Sequence, residues 1–337
     1  MRNPDTFFSI AAVGLALAIS PAFAQNKPAA TNVPEAPAEA KQSSLVVGTL
    51  QIGSAPNLEI EGIDINIAVN AIVYSYFLKN AGSAELELAA AVSLPELRAS
   101  ADGSKIWVLA SNDPENPVGL SVTAAGRPMP TKAEVHANAL GLGRLAEIKA
   151  EHLPLIPFGP ETDKALAALS LDAAGRLAAL GIVSPRDPKE PKESLTADWT
   201  LHVVRSWRQV LPPGKTTPIV VKFIPVESQY RMQKEDLDDL DDMKDDVCFK
   251  PQVLGAVQSR LKSNGAWKVI DITVSVSAPS LWIDSPNPTL SVQKPTPDAI
   301  VAFCGMDDKT ASKPVILGVT PDDSDEIRIV IFEPAAK

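Results

Sequence analysis

Eight carboxylates crowd the segment Glu235–Asp246: Glu235, Asp236, Asp238, Asp239, Asp241, Asp242, Asp245 and Asp246. Hard cations such as Ca²⁺ take several carboxylate oxygens, so this run is the first place where an ion could sit. The run lacks the central Gly and closing Glu of an EF-hand loop. Leu237, Leu240 and Met243 give it a thin apolar edge, and a solvated surface segment is the preferred reading. Calcium binding is the alternative, with Asp238, Asp239, Asp241, Asp242, Asp245 and Asp246 as candidate ligands. No other cofactor is indicated.

Imidazole and nucleophile chemistry is sparse. The three histidines are His136, His152 and His202. No HExxH is present and no pair has the local spacing of metal ligands, so they read as ordinary surface or core residues. No GxSxG elbow marks a serine nucleophile, and no catalytic residue is assigned. Acidic residues are too common to single out a carboxylate pair. Trp199 and Trp207 lie eight apart on or near one strand, with Trp267 and Trp282 later. They are expected to pack in the core, with a ligand cleft between lobes as the alternative.

The N-terminus specifies a compartment. Arg2 precedes an apolar stretch from Phe7 to Ile19, and Ala22-Phe23-Ala24 supplies small residues at the positions a signal peptidase reads. That order predicts a secretory signal peptide over residues 1–24, cleaved after Ala22 and Ala24 have been recognised. The stretch is shorter than the ~20 residues that span a bilayer. No later stretch is long and apolar enough to do so, which predicts a soluble periplasmic protein without a transmembrane segment after cleavage. The net charge of −10 argues against nucleic acid as a partner. Cys248 and Cys304 are the two cysteines. Without a CxxC or a nearby histidine, an even pair in an exported chain predicts a disulfide. Closing that loop stabilises the fold by roughly 4 kcal/mol.

These residues must be positioned by strands. Residues 25–43 are an Ala/Pro-rich tether with too little apolar surface to order. From Ser44 the pattern turns to β. Leu45–Val47 and Leu50–Ile52 suggest a first strand. Leu58 and Ile60 alternate with glutamates; at Gly62 the phase flips to Ile63, Ile65, Ile67 and Val69, which predicts a bulge or tight turn. Ala71–Asn80 and Leu86–Val92 read as one hairpin, and Leu120–Thr123 with Lys132–Ala137 as another. Between about 142 and 183 the period becomes helical. Ser170 is the predicted N-cap of a helix that stops at Gly181. A polar linker, Ser184–Glu193, follows. Ile219, Val221 and Phe223 mark a central strand after Pro212-Pro213-Gly214. Pro251–Ser263 reads as a helix ending at Gly265, and Ile270, Ile272, Val274 and Val276 as a strand. Ile327, Ile329 and Ile331 mark the last one.

The expected class is mainly β, a β-rich α+β chain with antiparallel β-sandwich-like lobes and a helical insertion. The predicted division is a lobe over 44–230, the acidic segment over 231–247, and a smaller C-terminal lobe over 248–337 that has one helix and the disulfide.

The chain resembles the exported bacterial family called domain of unknown function 4424. The resemblance rests on YSYFLKN ending in Leu94-Pro95, Gly126-Arg127-Pro128-Met129-Pro130, Trp207-Arg208-Gln209 and Pro212-Pro213-Gly214. It continues in the cysteine after the acidic segment, Phe303-Cys304-Gly305 and Pro321–Phe332. It covers most of the chain beyond the leader, while the tether and the acidic run depart from it. It implies an exported protein and transfers no catalytic residue. The leading expectation is a non-enzymatic binding or structural protein of the cell envelope, with an envelope protein or ligand as partner. The alternatives are a periplasmic hydrolase using carboxylates and a divalent-cation-binding module at the acidic run.

Overall fold

Alternating apolar residues at a period of two bury one face of a strand, and most of this chain carries that pattern. The computed structural model describes residues 45–99, 107–185, 195–244, 246–276, 288–307, 309–319 and 325–335. The predicted leader with Ala22 and Ala24, the tether, Asp245, Trp282 and Pro321 lie outside them, as does most of the Ser184–Glu193 linker.

In chain order the strands begin with β1 (Gln51–Ile52), β2 (Leu58–Ala68), β3 (Ala71–Asn80), β4 (Leu86–Ser93) and β5 (Trp107–Val108). β6 (Ser121–Ala124), β7 (Arg127–Pro128), β8 (Lys132–Ala139) and β9 (Leu142–Gly143) come next. The helices α1 (Leu145–Ala150), α2 (Pro160–Ala167) and α3 (Leu171–Ala179) lead to a ribbon of β10 (Val183–Pro185) and β11 (Leu195–Ala197). β12 (Thr200–Leu211), β13 (Thr216–Phe223) and β14 (Glu227–Met232) precede α4 (Asp239–Met243) and α5 (Pro251–Lys262). The last strands are β15 (Ala266–Ser275), β16 (Thr289–Gln293), β17 (Ile300–Ala302), β18 (Val315–Val319) and β19 (Glu326–Ala335). The chain is mainly β.

Three sheets carry the fold. A seven-stranded sheet runs β18-β16-β2-β3-β13-β6-β7. Two five-stranded sheets run β1-β4-β12-β8-β9 and β17-β19-β15-β14-β5. Their inner faces share one core, which takes Ile65, Ile67, Tyr74 and Tyr76 from the first, Val92 and Val203 from the second, and Ile270, Ile272 and Ile329 from the third. Two tyrosines show how the seven-stranded sheet meets both partners. The Leu50 N–H donates to Tyr76 Oη at 3.0 Å, beside β1. Tyr74 Oη donates to the Ser275 carbonyl at 2.8 Å, at the end of β15. Burial pushes both phenols up, so each stays neutral and each hydroxyl serves as a hydrogen-bonding group.

Local signals are realised where their cause is local. The register of β2 against β3 shifts between Ile60 and Gly62, a bulge at the phase change. Ser170 accepts from the Ala173 N–H at 3.2 Å and starts α3. Gly181 ends it at φ 69, with the Ile182 N–H bonded to the Leu177 carbonyl. At the end of α5 the left-handed residue is Asn264 at φ 58 and not Gly265; asparagine tolerates that backbone. Leu45–Val47 is not a strand, and β1 is only Gln51–Ile52.

Both predicted hairpins are corrected. β3 pairs with β2 and β13, whereas β4 pairs with β1 and β12 in another sheet. Likewise β6 pairs with β7 and β13, whereas β8 pairs with β12. The chain crosses between facing sheets at each of these turns, and again from β12 to β13. Asn80 holds one crossing together: its buried amide donates to the Ala84 and Leu211 carbonyls, both at 2.9 Å. Its own carbonyl accepts the N–H of Gly214, which turns at φ 64 after Pro212-Pro213.

The division near Arg231 is also corrected. β16 lies parallel to β2, with Leu290 opposite Ile65, so residues from both sides of Arg231 share one sheet. The described residues, from Leu45 onward, form one compact unit. The outer face of the β15–β19 sheet is covered by α4, α5 and the Val247–Phe249 segment, through Met232, Trp267, Val269 and Phe332. The Cys248–Cys304 disulfide ties that cover to the segment after β17. The α1–α3 insertion packs on β8 around Trp199, whose indole donates to the Leu155 carbonyl at 2.8 Å.

Candidate polar cleft at the rim of a sheet

β14 reads ESQYRM, with polar residues on both faces. Alternation puts Glu227, Gln229 and Arg231 on the face that holds Ile270 and Ile272 of β15. At the apolar end this face is core. Past Ile270 it turns polar: Arg231 stands opposite Lys268, and Lys268 stands opposite Glu333 of β19. A cleft of about 520 Å³ opens there, lined by Gln229, Tyr230, Arg231, Lys268, Thr296, Glu333, Pro334 and Ala335. Its size falls in the range of small-molecule sites.

Glu227 is the unusual group. Its residue is only 9 % exposed, yet Oε2 has no hydrogen-bond partner among the described residues. The Gln229 amide donates to Oε1 and also lines the cleft, so Gln229 links the buried carboxylate to the opening. Burial raises the carboxyl above its usual range; the Gln229 hydrogen bond and Lys268 oppose that rise, and Glu333 adds to it. Lys268 Nζ is 3.5 Å from Glu333 Oε2. The lining offers two cations, Arg231 and Lys268, one carboxylate, Glu333, and the amide or hydroxyl groups of Gln229, Tyr230 and Thr296 to a polar molecule, with Glu227 buried behind Gln229. Burial also pushes the Tyr230 hydroxyl up to about 12, and it points at the Met243 sulfur, 3.5 Å away.

The residues singled out in the sequence fall elsewhere. Asp246 pairs with Arg328 at 2.9 Å, and Arg328 also grips Asp271 at 2.7 Å. Asp236 bonds the Gln233 N–H, and Glu235 sits in the same turn. Asp238 and Asp239 flank the start of α4, and Asp241 and Asp242 lie within it. Among the described residues no three His, Cys, Asp or Glu side chains are arranged around a metal. Trp199, Trp207 and Trp267 are buried in three different cores, the packing expected of them, and Trp282 lies outside the described residues.

The three histidines are exposed or half-buried residues, the ordinary surface positions expected of them. His152 lines a separate hollow before α2, at φ 55. His136 and His202 are directly opposed on β8 and β12, with ring centres 6.2 Å apart. Sequence spacing could not reveal that pair, because the register of β8 on β12 is set by distant packing. Glu227 was equally hidden, since a short strand that is polar on both faces has no burial signature.

Fold and cleft together define a mainly-β protein with a polar site at the rim of one sheet. The chain belongs to the family described as domain of unknown function (DUF4424), whose model matches residues 38–323. No curated protein matches it significantly. A solved structure from Legionella pneumophila, described as a "putative nutrient binding protein", is similar at 11% identity and a TM-score of 0.39, covering 85% of this chain and 70% of that one. Among the described residues no helix is long and apolar enough to cross a membrane.

Proposed function

We propose that this chain is a non-enzymatic binding protein of the cell envelope, exported to the periplasm, and that its ligand occupies the cleft of Gln229, Lys268, Thr296 and Glu333. The observation that carries this reading is an open cleft whose Gln229 amide is bonded to a buried carboxylate, Glu227, that has a second oxygen without a partner among the described residues. A buried acceptor without a donor costs about 1–3 kcal/mol, more when charged, and a ligand donor relieves that cost. The ligand class is a small molecule with an ammonium or amide donor and a short apolar flank against Pro334 and Ala335. The disulfide fits an oxidising compartment.

The test is native mass spectrometry of the full chain purified from its own periplasm, alongside a Lys268→Ala, Gln229→Ala variant. A small-molecule adduct on the first and none on the second is expected. An adduct of equal occupancy on both, or a bare mass on both, overturns the cleft. One observation favours a second reading, a hydrolase using carboxylates: Glu227 is an acid held above its usual range beside Glu333. In that case the recovered molecule is a cleavage product, and Glu227→Gln retains the intact precursor.

A further inference from the structure

Cross-strand register fixes His202 of β12 directly opposite His136 of β8, on the face of the sheet turned away from the core; Leu201, Val203 and Ala137 beside them are buried. The His136 side chain is 46% exposed. Glu134, two residues along the same face, places Oε1 3.1 Å from His136 Nε2. A carboxylate accepts, so in the neutral ring Nε2 carries the proton and Nδ1 carries the lone pair. That is the outer-shell arrangement found on metal-bound histidines, in which the far N–H is tied to a carboxylate that orients the ring and raises its basicity.

We propose that His136 and His202 form a two-imidazole site for a divalent ion of the Zn²⁺, Cu²⁺ or Ni²⁺ class, with Glu134 positioning His136 and water completing the coordination. A metal held at about 2.0–2.1 Å from one nitrogen of each ring sets the two ring centres about 6.4 Å apart when N–metal–N is linear and about 5.2 Å apart at the tetrahedral angle. The observed centres are 6.2 Å apart with their planes stacked 25° apart, so a tetrahedral ion draws the rings about 1 Å closer and turns them out of the stack. Histidine χ2 is broad, and both side chains stand on the face turned from the core, which leaves room for that turn. Imidazole donors select this class of ion over Ca²⁺ or Mg²⁺, which demand oxygen ligands. The site is independent of the acidic run and of the cleft.

The test is calorimetry of the untagged full chain with ZnCl₂ in a non-coordinating buffer, repeated on His136→Ala, His202→Ala, Glu134→Gln and the control His152→Ala. One ion per chain is expected. Either alanine variant in the pair should weaken binding tenfold or more, and His152→Ala should leave it unchanged. Glu134→Gln should weaken it tenfold or more through basicity. Paramagnetic resonance of the Cu²⁺-loaded chain should show two imidazole nitrogens, a readout that a folding defect does not mimic. Absence of heat in the wild type overturns the proposal. So does binding that survives either His136→Ala or His202→Ala.

Discussion

Replacing Cys248 and Cys304 together by alanine removes the cross-link between the α4–α5 cover and the segment after β17. The bridged residues are 56 apart in sequence. At that length the chain-entropy relation gives a loss of about 4 kcal/mol at 25 °C, because the unlinked denatured chain regains its freedom. The native state should change little. Val247, Phe249 and Phe303 stay buried on either side of the link. Cys248 sits at φ 49, and alanine bears the same backbone strain as cysteine there. For a folded unit of roughly 290 residues, an unfolding entropy of about 2 cal/mol/K per residue makes 4 kcal/mol worth about 7 °C. Scanning calorimetry of the oxidised protein and the double variant at one pH reads this difference. A drop smaller than about 2 °C, or a rise, refutes the entropic reasoning and means that native-state strain or residual denatured structure outweighs loop closure.

Gly318→Ala would bring a Cβ within 2.5 Å of the Phe303 ring and 3.1 Å of the Gly305 carbonyl; urea unfolding should show a loss of about 1–3 kcal/mol. Tyr76→Phe leaves the Leu50 N–H without its buried partner and should destabilise by about 1–3 kcal/mol in the same assay, while its fold-defining contacts persist. Glu227 titrates above its unfolded value, so the folded chain holds that proton to higher pH. Stability is therefore lost as pH climbs from the unfolded carboxylate range through the folded value. Glu227→Gln removes that loss, and its urea midpoint relative to wild type should be higher at pH 7 than at pH 4. An equal difference at both pH values would count against a buried, perturbed acid.

What could be read in the sequence was whatever a few neighbouring residues decide. Gly62 marks its bulge because the apolar phase changes there, and Ser170 with Gly181 brackets α3 by capping alone. The cysteine pair was legible from count and spacing. The hairpin readings failed because period-two alternation says which face of a strand is buried and nothing about which sheet it joins. Ala71–Asn80 and Leu86–Ser93 each alternate well, yet a turn held by Asn80 and Gly214 sends them to opposite sheets. The division at Arg231 failed for the same reason, since no local signal announces that Leu290 will lie beside Ile65. The cleft and the histidine pair depend on register between strands far apart in the chain, which composition and spacing do not encode.

The parallel pairing of β16 with β2 also governs how the chain reaches its native state. β2 emerges from the ribosome early, but one of its edges waits for a strand more than 200 residues downstream. The loop entropy of that closure is met only when most of the chain exists, so folding is expected to be slow and dominated by non-local contacts. In the interval β2 presents an unpaired edge, the kind that recruits another chain. Fragments that stop before Thr289 should therefore aggregate and not fold as a smaller domain, and the protein is best produced whole.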